Sequence, residues 1–404
     1  MDTLEFKDLR IAFTTQFALQ WNDRGSGGKR DGAYWRPVAV GNLNGYHPLG
    51  DYGVGNYNDV NGQAAVAVVS DINGASGTAL RPPLDFEQVW TDKGSGADRD
   101  GSMWRPVPPA GYVAMGLVCN NGYGKPAVDI IRCVRADLVI ASMLGDLVWD
   151  DSGTGADRDF GSWQISPPSA PAGEVYLSPG TFVGVASHSK PNTDPNAYAL
   201  RLQIPLAHFN PPPTPVLHGY SKPTGYEQTT VTYISNLSWF MVKDPNLQPT
   251  QQLVKSPVYR LERTDQYTLI GFGYNETSSD QNFSWSVTNG VNGSSSTSFT
   301  STTSIEIGGE WKLGPIFTAS AKLNQSFSYT TSSSSGWDHS TTRTVNVAVP
   351  TKRAVAAFAI ESTYKLFRAD GTQVSTNVGY SDGDNIYWTQ YPPTLAFDLK
   401  VNVE

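Results

Sequence analysis

Three stretches of the chain repeat one carboxylate-rich pattern, and closely spaced carboxylates can hold cations, grip sugars or shape tight turns. The first runs Trp21-Asn22-Asp23-Arg24-Gly25-Ser26-Gly27-Gly28-Lys29-Arg30-Asp31-Gly32 and closes on Trp35-Arg36-Pro37. The second runs Trp90-Thr91-Asp92-Lys93-Gly94-Ser95-Gly96-Ala97-Asp98-Arg99-Asp100-Gly101 and closes on Trp104-Arg105-Pro106. The third runs Trp149-Asp150-Asp151-Ser152-Gly153-Thr154-Gly155-Ala156-Asp157-Arg158-Asp159 and closes on Trp163. The candidate contact residues are therefore Asp23, Asp31, Asp92, Asp98, Asp100, Asp151, Asp157 and Asp159. Hard cations want several adjacent oxygens, but no bidentate glutamate follows and an arginine interrupts every copy. Asp and Gly are equally the residues of tight turns, and Arg30, Arg99 and Arg158 suit the repeated carboxylates as partners. Turn architecture is the first reading, with sugar or receptor contact next and a bound cation the last that stays open. Two cysteines and five scattered histidines do not make a zinc site, so neither metal nor cofactor is expected. The loops should gather at one end of the body, where three weak sites add by avidity.

A second stretch carries a different chemistry, that of leaving water. In the Ser/Thr-rich tract 293–344, Ile305, Ile307, Trp311 and Leu313 alternate with Glu306, Gly308, Glu310 and Lys312. Beyond Gly314-Pro315-Ile316, the residues Phe317, Ala319, Ala321 and Leu323 alternate with Thr318, Ser320, Lys322 and Asn324. Successive strand residues point to opposite faces, which makes a ribbon with one apolar and one polar side. About 11 residues rise roughly 36 Å, and a tilt near 40° brings that to about 28 Å, close to bilayer thickness. The plain alternative is an exposed amphipathic hairpin of an ordinary β protein.

The elements that must position these groups are strands. Charged residues make up 16% and aromatics 11%, with 39 Gly and 27 Pro, a mixture that suits an all-β chain with many turns. The 404 residues suffice for two or three cores. Net charge is −8 without a Lys/Arg cluster, which argues against nucleic acid as a partner. No apolar run is long enough for a transmembrane helix. Met1–Lys7 lacks the blocks of a secretory signal, so release from the producing cell by another route is expected. Cys119 and Cys133 read as buried thiols, with a pairing across a hairpin left open. Strands are expected at Ile11–Leu19, Leu84–Val89 and Leu138–Val148 before the three loops. Others are expected at Val231–Ile234, Tyr267–Phe272, Phe283–Val287, Val345–Val349, Ala354–Tyr364 and Leu395–Val403. Asn210-Pro211-Pro212-Pro213-Thr214-Pro215 reads as a stiff connector. The expected division is a body at 1–205, a linker at 206–228 and a second body at 229–404, with the hairpin at about 303–330.

The Trp-x-Asp-x-Gly-Ser-Gly loops followed by Asp-Gly and Trp-Arg-Pro resemble the vacuolar protein sorting-associated protein 62 family over about residues 5–205. That resemblance implies a pseudo-threefold β-prism. The first copy departs at Lys29, where the others carry Asp98 and Asp157. The third departs at Phe160 and lacks Arg-Pro after Trp163. Residues 229–404 resemble, by pattern, the aerolysin-like β-pore-forming family in its epsilon-toxin and mosquitocidal-toxin branch. This implies an elongated all-β pore-forming body in which Ile305, Ile307, Trp311, Leu313, Gly314, Pro315, Ile316, Phe317, Ala319, Ala321 and Leu323 insert. Glu306, Glu310, Lys312, Lys322 and Asn324 would line the water. The function so implied is a pore-forming toxin acting at the target-cell plasma membrane, with insect gut the preferred target. It would dock as a soluble monomer or dimer through a glycan or protein receptor, then oligomerise on the membrane. A non-lytic lectin or trafficking adaptor is the competing class. An enzyme is not expected, since no phosphate-cradling loop, nucleophile elbow or His-Glu-x-x-His pair occurs.

Overall fold

The computed structural model describes residues 3–292, 311–312, 319–321, 340–374, 376–393 and 400–403. The chain is all-β, built from antiparallel sheets that fall into two compact units. One unit comprises Met1–Gln203 with Leu247–Pro257 and Glu310–Lys322; the other holds Ile204–Asn246, Val258–Gly309 and Leu323–Glu404.

The first unit repeats one three-stranded sheet three times. The sheets are Phe17–Asn22, Ala33–Pro37 and Tyr52–Val54; Asp85–Thr91, Gly101–Val107 and Val118–Asn121; and Met143–Asp150, Gly161–Ser166 and Phe182–Val185. In each, the register slips by one residue just before the first tryptophan, at Gln20, Val89 and Val148. Such a bulge re-aims the next side chain. Trp21, Trp90 and Trp149 are all fully buried, and their ring centroids form a near-equilateral triangle of 5.5, 5.4 and 5.6 Å with T-shaped contacts. Edge-to-face packing suits the ring quadrupoles, and three equal contacts give the pseudo-threefold axis. The departures of the third copy are volume compensation at this axis. A Cβ on Gly32 or Gly101 would lie 2.4 or 2.3 Å from the Trp149 or Trp21 ring. The third copy places Phe160 there, stacked on Trp90 at 5.4 Å, and puts small Ser162 where the first has Tyr34. Tyr34 reaches across to Ser162, hydroxyl to hydroxyl, at 2.7 Å. Close-packed cores tolerate such swaps when total volume is kept.

The Trp-Arg-Pro arginines fasten one repeat to the next. Arg36 Nη2 donates to the Cys119 carbonyl at 2.6 Å, and Arg105 Nη2 to the Gly184 carbonyl at 3.1 Å. Arg36 also grips the fully buried Asp51 through two bonds of 2.9 Å, and Asp51 accepts the Cys119 amide at 2.7 Å. Asp51→Ala is expected to lower stability by about 3 kcal/mol, because it leaves a largely buried guanidinium without its carboxylate. Chemical denaturation reads this directly, and cutting the exposed Lys125–Asp85 pair should leave the midpoint unmoved. Cys119 and Cys133 are free and buried, and burial pushes both thiols up, Cys133 to about 12.

In the second unit, eight strands form one antiparallel sheet. Their order is Leu206–His208, Thr230–Ser238, Val258–Tyr274, Ala354–Phe367, Val378–Tyr391, Gln281–Asn292, Ser340–Val349 and Lys400–Val403. The apolar run expected as a strand at Ala354–Tyr364 is one, extended to Phe367, and its Ala356 and Phe358 pack with Leu217 and Tyr267. Residues 206–228, expected as a linker, are instead anchored to this sheet. Leu206–His208 pairs with Thr230–Ser238, Leu217 is buried, and Tyr226 meets Phe358 edge-on at 4.8 Å. Apolar side chains between the prolines outweigh the stiffness that the prolines advertise. Val378–Tyr391 was not anticipated, because Gly379, Gly383 and four acidic or amide residues break its period. Pairing with Ala354–Phe367 along ten residues makes it a strand regardless. A short helix, Pro249–Lys255, was also missed. No described helix is long and apolar enough to cross a membrane, which does not bear on β-barrels.

Of the expected hairpin, only Trp311–Lys312 and Ala319–Ala321 fall among the described residues. Ile305, Glu306, Ile307, Glu310, Leu313, Gly314, Pro315, Ile316, Phe317, Lys322, Leu323 and Asn324 lie outside them. Ala319–Ala321 pairs antiparallel with Trp311–Lys312 on one side and with Glu174–Leu177 on the other, in the five-stranded sheet that also holds Tyr198–Gln203. All three of its side chains are buried, and Ser320 Oγ accepts the Ala170 amide at 2.9 Å. Here both faces of the strand are covered, unlike the one wet and one apolar face expected for it.

Candidate functional site

The three Asp-rich loops close into a ring within the first unit. The middle of each is a Gly-Ser-Gly or Gly-Thr-Gly turn whose glycines all have positive φ, from +69° to +90°. That region is costly for residues with a Cβ, which is why both glycines recur. Ser26, Ser95 and Thr154 are buried between them, and their hydroxyls accept the Gly28, Ala97 and Ala156 amides at 3.1–3.2 Å.

Backbone bonds then link the loops in a cycle. The Asp98 amide donates to the Arg24 carbonyl at 2.7 Å, Asp157 to Lys93 at 2.8 Å, and Lys29 to Ser152 at 2.9 Å. Only the amide is used, so the position accepts Lys29 in place of aspartate. The indoles complete the interlock. Trp21 Nε1 donates to the Arg99 carbonyl, Trp90 to Arg158 and Trp149 to Arg30, at 2.8, 2.8 and 3.1 Å.

The eight candidate aspartates separate into two groups. Asp23, Asp92 and Asp151 are buried and shape the loops. Each carboxylate accepts the amide nine positions on, at Gly32, Gly101 and Phe160, with distances of 2.8, 3.0 and 2.8 Å. Asp92 and Asp151 also accept the Trp21 and Trp90 indoles. Free carboxylate oxygens for a sugar or receptor must therefore come from the exposed Asp31, Asp98, Asp100, Asp157 and Asp159. The exposed cations Arg24, Lys29, Arg30, Lys93, Arg99 and Arg158 lie among them.

Three residues of this site carry no signal in the loop pattern. Tyr57, Tyr123 and His188 follow the third strand of each sheet and reach back to the loop aspartates. Burial, then the carboxylates beside them, pushes both phenols well up. The Asp151 carboxylate holds His188 above the ordinary histidine range, with Asp159 and Asp150 adding to the effect. Gly55-Asn56-Tyr57 and Asn121-Gly122-Tyr123 share only composition, so their equivalence shows in three dimensions alone.

The family model of vacuolar protein sorting-associated protein 62 matches residues 1–251. Among solved structures, GNIP1Aa from Chromobacterium piscinae is 31% identical over 46% of this chain and 34% of its own, with a TM-score of 0.39. The chain thus spans about a third of that protein, 34% of its length. Cry35Ab1 is 12% identical over 96% of this chain and 91% of its own, with a TM-score of 0.33. No curated protein matches. With its three Trp- and Asp-bearing glycine loops interlocked about one axis and the family model covering more than half its length, the chain belongs to the vacuolar protein sorting-associated protein 62 family.

Proposed function

We propose that this chain is a pore-forming toxin that docks on a cell-surface glycan or protein receptor through the loop ring, assembles with copies of itself and inserts the 303–330 segment as a β-barrel. One observation carries the reading. Gln281–Asn292 and Ser340–Val349 are neighbours in the large sheet, paired without a register break from Gln281↔Val349 to Gly290↔Ser340. The segment in question is the connection between these two strands.

Continued pair by pair, that register would set Ile307 opposite Leu323, Trp311 opposite Ala319 and Leu313 opposite Phe317, two residues from the Trp311↔Ala321 and Lys312↔Ser320 pairs of the described strands. The same continuation sets Glu306 opposite Asn324, Glu310 opposite Ser320 and Lys312 opposite Thr318. The two faces stay unmixed along the whole extension. A one-residue slip would mix them while a two-residue shift would not, so the base of the ribbon and its sequence agree in parity. Neighbouring ribbons would pair into a closed wall, leaving no backbone group bare in lipid.

An environment-sensitive fluorophore placed singly at 317 through 323 tests this on susceptible membranes, with Cys119 and Cys133 buried and silent. Odd positions should shift to the blue and even positions should not. Equal response at both parities would end the barrel reading.

The non-lytic lectin or adaptor reading has one observation in its favour, the buried pairing of Ala319–Ala321 with Glu174–Leu177. Cell binding without dye leakage under every activating condition would select it.

A further inference from the structure

The third loop differs from its two companions at the positions that decide what a carboxylate cluster can hold. In the first repeat, Tyr57 Oη donates to Asp23 Oδ1 at 2.7 Å; in the second, Tyr123 Oη donates to Asp100 Oδ1 at 3.0 Å. A cation covers each phenol. The Arg24 guanidinium lies 4.6 Å from the Tyr57 ring centre, and Lys93 Nζ lies 4.9 Å from that of Tyr123. In the third repeat an imidazole takes the phenol's place. His188 Nε2 is 2.5 Å from Asp151 Oδ1 and 3.8 Å from Asp159 Oδ1. Ser152 stands where Arg24 and Lys93 stand, which removes the covering charge. Asp150, where the others have Asn22 and Thr91, adds a carboxylate that Arg30 meets at 3.2 Å.

We propose that Asp151, Asp159 and His188 bind a single divalent transition-metal ion of the zinc type, at this one of the three pseudo-equivalent positions. Their ligand atoms all lie within 4.8 Å of one another. Imidazole with carboxylates is a donor set that zinc accepts, leaving a fourth position for water. Asp151 is already held as metal-ligating carboxylates are, by hydrogen bonds behind it. Its Oδ1 accepts the Phe160 amide at 2.8 Å and its Oδ2 the Trp90 indole at 3.0 Å. Such outer bonds orient a ligand and tune its affinity. An ion bound through His188 Nε2 requires that nitrogen without its proton, which leaves to solvent. The first two repeats cannot do this, since a protonated phenol is a poor ligand and a cation sits over it. His188 lies far along the chain from its loop, so the loop sequence alone reads as metal-free.

Isothermal titration of the full chain with zinc chloride is expected to show one strong site, and zinc to raise the unfolding temperature. H188Y restores the residue of the other repeats and their hydrogen bond to the loop. It should keep the zinc-free unfolding temperature and lose at least about tenfold in zinc affinity. D159N removes an exposed ligand and should do the same without touching the core. Zinc binding at wild-type affinity in both variants overturns the assignment, as does a wild-type protein that zinc does not stabilise. Calcium binding that survives H188Y would assign the cation to carboxylates alone, and would overturn it as well.

Discussion

Trp90→Ala should unfold the first unit at a far lower denaturant concentration than wild type, with a loss of about 3–5 kcal/mol from the ring alone. The indole is 1% exposed and touches Trp21, Trp149 and Phe160 at 5.4–5.6 Å between centroids. Deleting it opens a cavity on the axis, where all three repeats meet and none can collapse alone. It also strips the Arg158 carbonyl and Asp151 of an N–H donor. Buried acceptors left short add to the cost. Trp90→Phe should recover much of the packing but not the bond, and so fall between the two. Combining Trp21→Ala with Trp90→Ala should cost less than the sum of the single changes, because they share one contact. Near-additive losses would mean that the triangle is not one packed unit.

Ile307→Asp should abolish membrane leakage while leaving cell binding intact. In the proposed ribbon Ile307 would lie on the apolar face, several pairs below the turn. A charge near mid-bilayer costs on the order of 2–4 kcal/mol per copy, and a ring of copies multiplies that cost. Glu306→Gln, one residue away on the other face, should leave leakage intact and alter only ion selectivity. The contrast between adjacent positions is the informative result. Loss of leakage in both, or in neither, would show that the two faces are not divided as the register requires.

The local sequence determined a good deal of this molecule. Repeated Trp, Asp and Gly-Ser-Gly at fixed spacing announced three equal β units and the family, because bulge, turn and buried carboxylate need those residue types nearby in the chain. The unbroken apolar run that opens at Ala354, flanked by other strand-like segments, announced a buried strand. Tertiary structure decided which aspartates are available. Asp23 and Asp31 look alike in sequence, yet the first caps a loop in the core and the second is exposed. It also decided that Leu217 and Tyr226 tie a proline-rich stretch to a sheet, and that Val378–Tyr391 is a strand despite its glycines. Most of all, it brought His188 to the third loop and a tyrosine to each of the others. Contacts between residues distant in the chain depend on how whole sheets pack, and no short window of sequence holds that information.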